Sequence, residues 1–235
     1  MKGPAIYFIF DKRLAVCVCL SFMVSSFLFA QDFKEALLKM KQEYADAPNL
    51  HIVMSIKAYD KNSPSTIFYN QKAEVKKADQ KYYYSLDQNE MLLNTSFLIL
   101  VNHKLKQIDL RKNSLTDSQF EYPAMLNLDS MLSVFGTALY IGKKNGLDQY
   151  RVVHKVGGML KQTELFFKSE TGQLQQVGYE YVNGQYVSIQ FDLFDKSPQF
   201  DADTFSEKKY VRTLNGKVVL EIGYQHYIIN AEQTD

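Results

Sequence analysis

The stretch LHIVMSIKAY at residues 50–59 indicates the fold class of this chain, because apolar and polar side chains alternate along it. In an extended chain Ile52, Met54 and Ile56 lie on one side, and Ser55 and Lys57 lie on the other. This period of two is typical of a β-strand that buries one face against a core. The stretch therefore predicts a half-buried strand and not a helix.

Segments with the same character recur towards the C-terminus and are separated by short polar turns. They predict further strands at 66–77, 81–86, 90–93, 97–101, 106–110, 150–156, 159–168, 173–182, 185–194, 217–223 and 227–229. Asn183-Gly184 is the strongest hairpin signal among these turns. The pattern predicts about ten antiparallel strands.

Two other segments show helical spacing. In 32–45, Phe33, Leu37 and Met40 recur on one side, and 124–135 has a similar apolar stripe. The sequence therefore predicts a mainly β protein with two or three helices. We expect a single curved antiparallel sheet, or incomplete β-barrel, with the helices on its concave face.

The N-terminal segment has the features of a secretory signal. A basic pair, Lys12-Arg13, precedes an uncharged run at 14–29 that ends in Ala30. This pattern predicts a cleaved signal peptide over 1–30 and an envelope location, with an uncleaved membrane anchor as the alternative. Both cysteines lie inside this run, too early for a lipid-attachment site. The remaining chain has no thiol, so its stability must come from burial alone.

Composition and motifs argue against several functional classes. The chain has 27 Lys and Arg against 26 Asp and Glu, and this near-neutral balance disfavours nucleic acid as a partner. The four His residues form no metal-binding or nucleophile motif, so we expect no metal, no cofactor and no enzyme activity. Two weaker alternatives stay open, a hydrolase site assembled from distant residues and a cation at Asp192, Asp195, Asp201 and Asp203.

Several strands are apolar on both sides. Tyr82-Tyr83-Tyr84 and Phe166-Phe167 place rings on both faces of their strands. Such strands are buried on both sides, or one side lines a cavity. A filled sandwich core and a ligand site under the helices are both compatible with this pattern.

The residues VKKADQKYYYSL at 75–86, EMLLN at 90–94 and FLILV at 97–101 resemble the periplasmic outer-membrane lipoprotein carriers of the LolA type. The similarity continues through TELFF at 163–167 and VSIQF at 187–191. It covers roughly 33–211, and the segment 205–211 is similar to Bacteroidetes members of that group. The resemblance implies that 31–235 forms a single lipoprotein-carrier-like β domain.

The resemblance implies a monomeric periplasmic carrier that binds the acyl chains of lipoproteins, or another lipid, and passes them towards the outer membrane. Its partners would be an inner-membrane ABC transporter and an outer-membrane acceptor. Strand phase gives a set of candidate residues for the lining of an apolar cavity. They are Ile52, Met54, Ile56, Phe97, Ile99, Val101, Met131, Phe135, Leu165, Phe167, Ile189 and Phe191.

The chain departs from that family at one position with an expected role. The family carries an Arg-Pro pair after its second strand, where this chain has Lys77-Ala78. In the family the Arg holds a helical lid closed, so Lys77 is a candidate for lid gating. Its ammonium group keeps the positive charge but lacks the planar set of N–H donors of a guanidinium group. The tail 214–235 has no counterpart and is expected to form a hairpin or to cover a sheet edge. A structural or interaction module of the envelope with a filled core is the alternative function.

Overall fold

The structure is a computed structural model of the chain. The residues that it describes are 33, 37–40, 42, 47–113, 138–154, 158–215 and 217–231. The predicted signal peptide at 1–30 and the predicted second helix at 124–135 lie outside these residues. Residues 33, 37–40 and 42 are helical, as the spacing of apolar residues in 32–45 predicts.

The described residues form fourteen strands and two short 3-10 helices. The first seven strands are β1 (Asn49–Asp60), β2 (Ser63–Ala78), β3 (Lys81–Leu86), β4 (Asn89–Leu93), β5 (Phe97–Asn102), β6 (Gln107–Lys112) and β7 (Ala138–Lys144). The others are β8 (Leu147–Val153), β9 (Leu160–Lys168), β10 (Leu174–Tyr181), β11 (Gln185–Asp195), β12 (Val211–Leu214), β13 (Lys217–Leu220) and β14 (Ile228–Ala231). The 3-10 helices are Glu207–Lys209 and Ile222–Tyr224.

Twelve of these strands form one curved, open sheet in the order β14-β6-β5-β4-β3-β2-β1-β11-β10-β9-β8-β7. All neighbours pair in antiparallel fashion except β14, which runs parallel to β6. The predicted single curved sheet, not closed into a barrel, is therefore confirmed. Asn183-Gly184 turns between β10 and β11 as predicted, with Gly184 at φ 84°.

The strand and helix counts differ from those predicted. The sequence pattern placed no strand at Ala138–Lys144 or Val211–Leu214, where short polar and glycine-containing segments give a weak period of two. Among the described residues there is one α-helix, fewer than the predicted two or three. The tail does both things expected of it, because β13 closes a hairpin with β12 and β14 covers the edge of β6.

Apolar side chains bury on both faces of the sheet. On the helix face, Phe33, Leu37 and Met40 of the helix pack on the strands. On the opposite face, here called the tail face, Phe205 and Tyr210 pack on β4, β5 and β6. The sheet is therefore the middle layer, with the helix on one side and residues 200–215 and 217–227 on the other.

Candidate apolar site between the helix and the sheet

The helix and the helix face of the sheet enclose a continuous apolar cluster, which is the candidate functional site. Leu37 has no exposed surface, and the rings of Phe33 and Tyr150 lie 5.2 Å apart. The buried members on the strands are Leu50, Ile52, Met54, Ile56, Ala73, Val75, Tyr150, Val152, Leu165, Phe167, Leu174, Val177, Ile189 and Phe191. Each large side chain buried here contributes about 1.5–3 kcal/mol of hydrophobic stabilisation.

The register of the strands explains why these side chains meet. Ile56 pairs with Ile189, Ile189 with Val177, Val177 with Leu165, and Leu165 with Tyr150. Cross-strand partners point to the same face of a sheet. Five adjacent strands thus present one apolar row to the helix.

The structure brings most of the predicted lining residues together, but not all of them. Those in the helix-face cluster are Ile52, Met54, Ile56, Leu165, Phe167, Ile189 and Phe191. Ile99 and Val101 belong instead to the tail-face cluster, and Phe97 packs against its edge. Met131 and Phe135 lie outside the described residues.

The sequence of β5 explains this separation. Residues 97–101 read FLILV, so every position is apolar. Without alternation, the sequence does not show which of these side chains point to which face of the sheet. The register resolves it, because Tyr84 pairs with Met91 and Met91 with Leu100. Leu100 therefore shares the helix face with Tyr84, and Ile99 takes the tail face. Strand phase cannot be read from an apolar run without the neighbouring strand.

Sequence reasoning also missed members of the cluster. Tyr150, Val152 and Val177 lie in segments that were predicted as strands, but the inward face of those segments was not assigned. The alternation of Tyr150 and Val152 with Arg151 is the signal that marks them.

Lys77 is buried at the edge of this site, with 8% of its surface exposed. Its Nζ donates a hydrogen bond of 2.9 Å to the backbone carbonyl oxygen of Ala47. A buried ammonium group needs such an acceptor to offset its lost hydration. Ala47 lies between the helical residues and β1, so this bond ties the end of the helix segment to β2.

Burial favours the neutral form of three polar side chains near the cluster, Tyr84, Tyr179 and His154. Burial raises the pKa of the Tyr84 and Tyr179 hydroxyls. Burial also lowers the pKa of His154, whose Nε2 lies 2.8 Å from Oγ1 of the buried Thr163. Tyr140 donates a 3.0 Å hydrogen bond to Asp148. A lining of apolar side chains with a few polar groups suits an apolar ligand.

Signs of other chemistry are missing from the part of the chain that the structure describes. No group of three or more His, Cys, Asp and Glu residues there is placed to hold a metal ion, and this includes the aspartates between 192 and 203. Nor does any helix in those residues combine the length and apolar character needed to cross a membrane.

Comparisons with known proteins give only distant similarities. No family model matches the chain, and no curated protein matches its sequence. An uncharacterized conserved protein from Thermus thermophilus is similar with a TM-score of 0.47 and 7% identity, over 86% of this chain and 99% of that one.

Two further solved structures are also distantly similar. The MucA/MucB complex of Pseudomonas aeruginosa gives a TM-score of 0.46 and 14% identity, over 74% of this chain and 60% of that one. A LolA superfamily protein from Nitrosomonas europaea gives 0.33 and 8%, over 74% and 97%. Similarity this low in both sequence and superposition establishes neither a family nor a function.

Proposed function

We propose that this chain is a periplasmic carrier that holds the acyl chains of lipoproteins, or another lipid, without covalent chemistry. The observation that supports it best is the continuous apolar cluster between the helix and the open sheet. The resemblance at 75–101 points to the same function. In this proposal 1–30 is a cleaved signal peptide, and the single domain at 31–235 is the carrier.

The hydrophobic effect supplies the driving force for such binding. An acyl chain in water costs about 0.8 kcal/mol for each methylene group, so a soluble carrier must enclose it. The side chains of Phe33, Leu37 and Met40 now fill the space over the sheet. In the loaded state the acyl chains take the place of these helix side chains against the strands.

Lys77 gates this exchange in the proposal. Its hydrogen bond to Ala47 holds the segment after the helix on β2 while the site is closed. Cargo then arrives from an inner-membrane ABC transporter and leaves for an outer-membrane acceptor. A monomer suffices in this proposal, because the described residues of the cluster all come from the helix, the sheet and the segment between them in one chain.

Native mass spectrometry on protein purified from the periplasm without detergent tests the proposal. We expect a bound species with the mass of a phospholipid or an acylated peptide. Ile52→Ala, on the helix face, should lower its occupancy several-fold, because Ile52 is fully buried in the site. Ile99→Ala is the matched control, since Ile99 is equally buried but lies in the tail-face cluster.

Two results contradict carriage. One is a ligand-free mass that does not change after incubation with a triacylated lipoprotein. The other is an equal loss of ligand in Ile52→Ala and Ile99→Ala, which would show a general loss of stability and not a site. Circular dichroism of both variants separates unfolding from a specific effect.

A second candidate function rests on the closed state of the same cluster. Its buried members are at most 9% exposed, as in an ordinary filled core. This observation favours an envelope interaction module that holds no ligand. Protein that stays ligand-free in the experiment above is the outcome that this alternative predicts.

A further inference from the structure

The two ends of the strands carry different turns. At one end, here called the tip end, lie the turns 61–62, 87–88, 103–106 and 182–184. At the other end lie the turns 79–80, 94–96, 145–146 and 169–173. The antiparallel order of the sheet places each set at one end of the strands.

Large apolar side chains are exposed at the tip end. Leu105 is 65% exposed, Val182 64% and Met159 78%, although a turn normally presents polar groups to water. Ile228 begins β14 at the same end and is 67% exposed. The four described turns at the opposite end consist only of polar residues and glycine.

Backbone hydrogen bonds join these tips to their neighbours. The amide of Ile228 donates to the carbonyl oxygen of Lys106 at 2.8 Å, which places Ile228 beside the turn that carries Leu105. The amide of Val182 donates to the carbonyl oxygen of Met159 at 2.9 Å. The apolar side chains therefore form two separate pairs at the tip end, Leu105 with Ile228 and Met159 with Val182. Strands β4, β3, β2 and β1 lie between the two pairs in the sheet.

Leu105 lies between two cations. Lys104 and Lys106 are exposed, and among the described residues neither makes an ion pair. Lysine side chains extend past a buried apolar neighbour and keep their ammonium groups in water or beside phosphates. An apolar tip between lysines fits the interface of an anionic bilayer, where each basic residue adds about 1 kcal/mol.

We infer that the tip end docks on an anionic lipid membrane, with Leu105 and Met159 entering the headgroup region. Charge complementarity between Lys104, Lys106 and lipid phosphates selects this occupant. The inference goes beyond carriage, because none of these residues belongs to the helix-face cluster. It therefore stands or fails separately from acyl-chain binding.

Sedimentation of the full chain with lipid vesicles tests the inference. We expect binding to vesicles of equal parts phosphatidylglycerol and phosphatidylcholine, and much weaker binding to phosphatidylcholine alone. Leu105→Ser should weaken binding about tenfold, which corresponds to about 1.4 kcal/mol. Leu193→Ser is the matched control, because Leu193 is also exposed but lies on β11 near the opposite end.

Two double charge-reversal variants distinguish an effect of the lysines at the tip end from an effect of the net charge of the chain. Lys104→Glu with Lys106→Glu should abolish the preference for anionic vesicles. Lys143→Glu with Lys144→Glu changes the net charge by the same amount, at exposed positions where β7 reaches the opposite end. That control should retain the preference.

Because the chain contains no tryptophan, a single introduced tryptophan reports by its emission whether that position enters the bilayer. Leu105→Trp and Met159→Trp should each show a blue shift of emission with anionic vesicles, whereas Leu193→Trp should not. The inference is overturned if the unmodified chain does not sediment with anionic vesicles. Equal binding of Leu105→Ser and the unmodified chain, or equal losses in the two charge-reversal pairs, would also overturn it and point to a protein partner.

Discussion

The helix face and the tail face are both apolar, but they are covered in different ways. On the helix face, Phe33, Leu37 and Met40 pack through apolar side chains. On the tail face, polar side chains of the sheet bind the covering segment as well. Asn94 Nδ2 donates to the carbonyl oxygen of Phe205 at 3.1 Å and to Glu207 at 2.7 Å.

Glu90 gives the tail face a second set of directed contacts. Its carboxylate accepts hydrogen bonds from Lys209 at 2.6 Å and from the Tyr210 hydroxyl. His103 lies 2.8 Å from the same carboxylate and 2.7 Å from the hydroxyl of Tyr227. Glu90 thus binds Lys209 and Tyr210 directly. Through His103 it is also linked to Tyr227.

This difference indicates which cover is able to leave. Apolar packing is not directional, so in the proposed carrier an acyl chain would replace it at little cost. Directed hydrogen bonds to buried groups cost about 1–3 kcal/mol each when they are broken without a substitute. In the proposed function the tail is therefore the fixed layer. The helix segment, which the bond from Lys77 to Ala47 joins to the sheet, is the cover that a ligand would displace.

The largest expected effect is a contrast between Tyr210→Ala and Leu37→Ala. Tyr210 is 1% exposed, and its removal leaves a cavity under a fixed layer, so the free energy of unfolding should fall by about 3–5 kcal/mol. Leu37 is also fully buried, but the loss there cannot exceed the free energy with which the helix docks. We expect about 1–2 kcal/mol for Leu37→Ala in urea unfolding.

Hydrogen exchange provides the control for this contrast. In Leu37→Ala the amides of the helix should exchange faster, while those of β5 and β6 keep their protection. If Leu37→Ala costs as much global stability as Tyr210→Ala, the helix is an inseparable part of the core and the comparison fails.

Much of the fold was predictable because its signals are local. The alternation in 50–59 and the turn at Asn183-Gly184 identify β1 and the β10–β11 hairpin directly. The separation of the apolar residues into two faces was not predictable. It depends on pairing such as that of Leu92 with Ile99, which is a property of two strands and not of one.

The same limit applies to the candidate site. Ile52 and Ile189 were placed correctly in one cluster, because their strands alternate clearly. Lys77 was singled out only by resemblance, and its bond to Ala47 joins residues thirty positions apart. The Glu90 contacts were missed because they join β4 to a tail more than a hundred residues away. Sequence patterns in short local segments contain no signal for contacts between residues so far apart in the chain.

A smaller effect is expected at Lys77, whose ammonium group is buried beside the helix segment. Lys77→Met removes the donor and leaves the carbonyl oxygen of Ala47 unsatisfied, which costs about 1–3 kcal/mol. The cost should appear as weaker helix docking, so amides near Ala47 should exchange faster. Lys77→Arg keeps a donor and is the control. Unchanged exchange in Lys77→Met would show that this bond does not hold the cover.

The smallest effect concerns the pH dependence of the tail layer. Burial acts to raise the pKa of Glu90, but hydrogen bonds from Lys209, Tyr210 and His103 outweigh it and hold that pKa below its ordinary value. A lowered folded-state pKa means that the carboxylate stabilises the fold above its unfolded value of about 4.3. This stabilisation is lost as the pH falls through the folded-state value.

Glu90→Gln should therefore unfold more easily than the unmodified chain at pH 7, by about 1 kcal/mol, with the difference shrinking towards about pH 3. Glu74→Gln is the control, because Glu74 also has a lowered pKa but binds His51 and Lys76 on the sheet and not the tail. The Glu74 side chain is more exposed than that of Glu90, so the loss of stability in Glu74→Gln at pH 7 should be smaller than in Glu90→Gln. Urea unfolding of the three proteins between pH 7 and pH 3 measures this. A constant difference between Glu90→Gln and the unmodified chain across that range would mean that the charge on Glu90 does not fasten the tail, and that the Asn94 hydrogen bonds and apolar packing hold it instead.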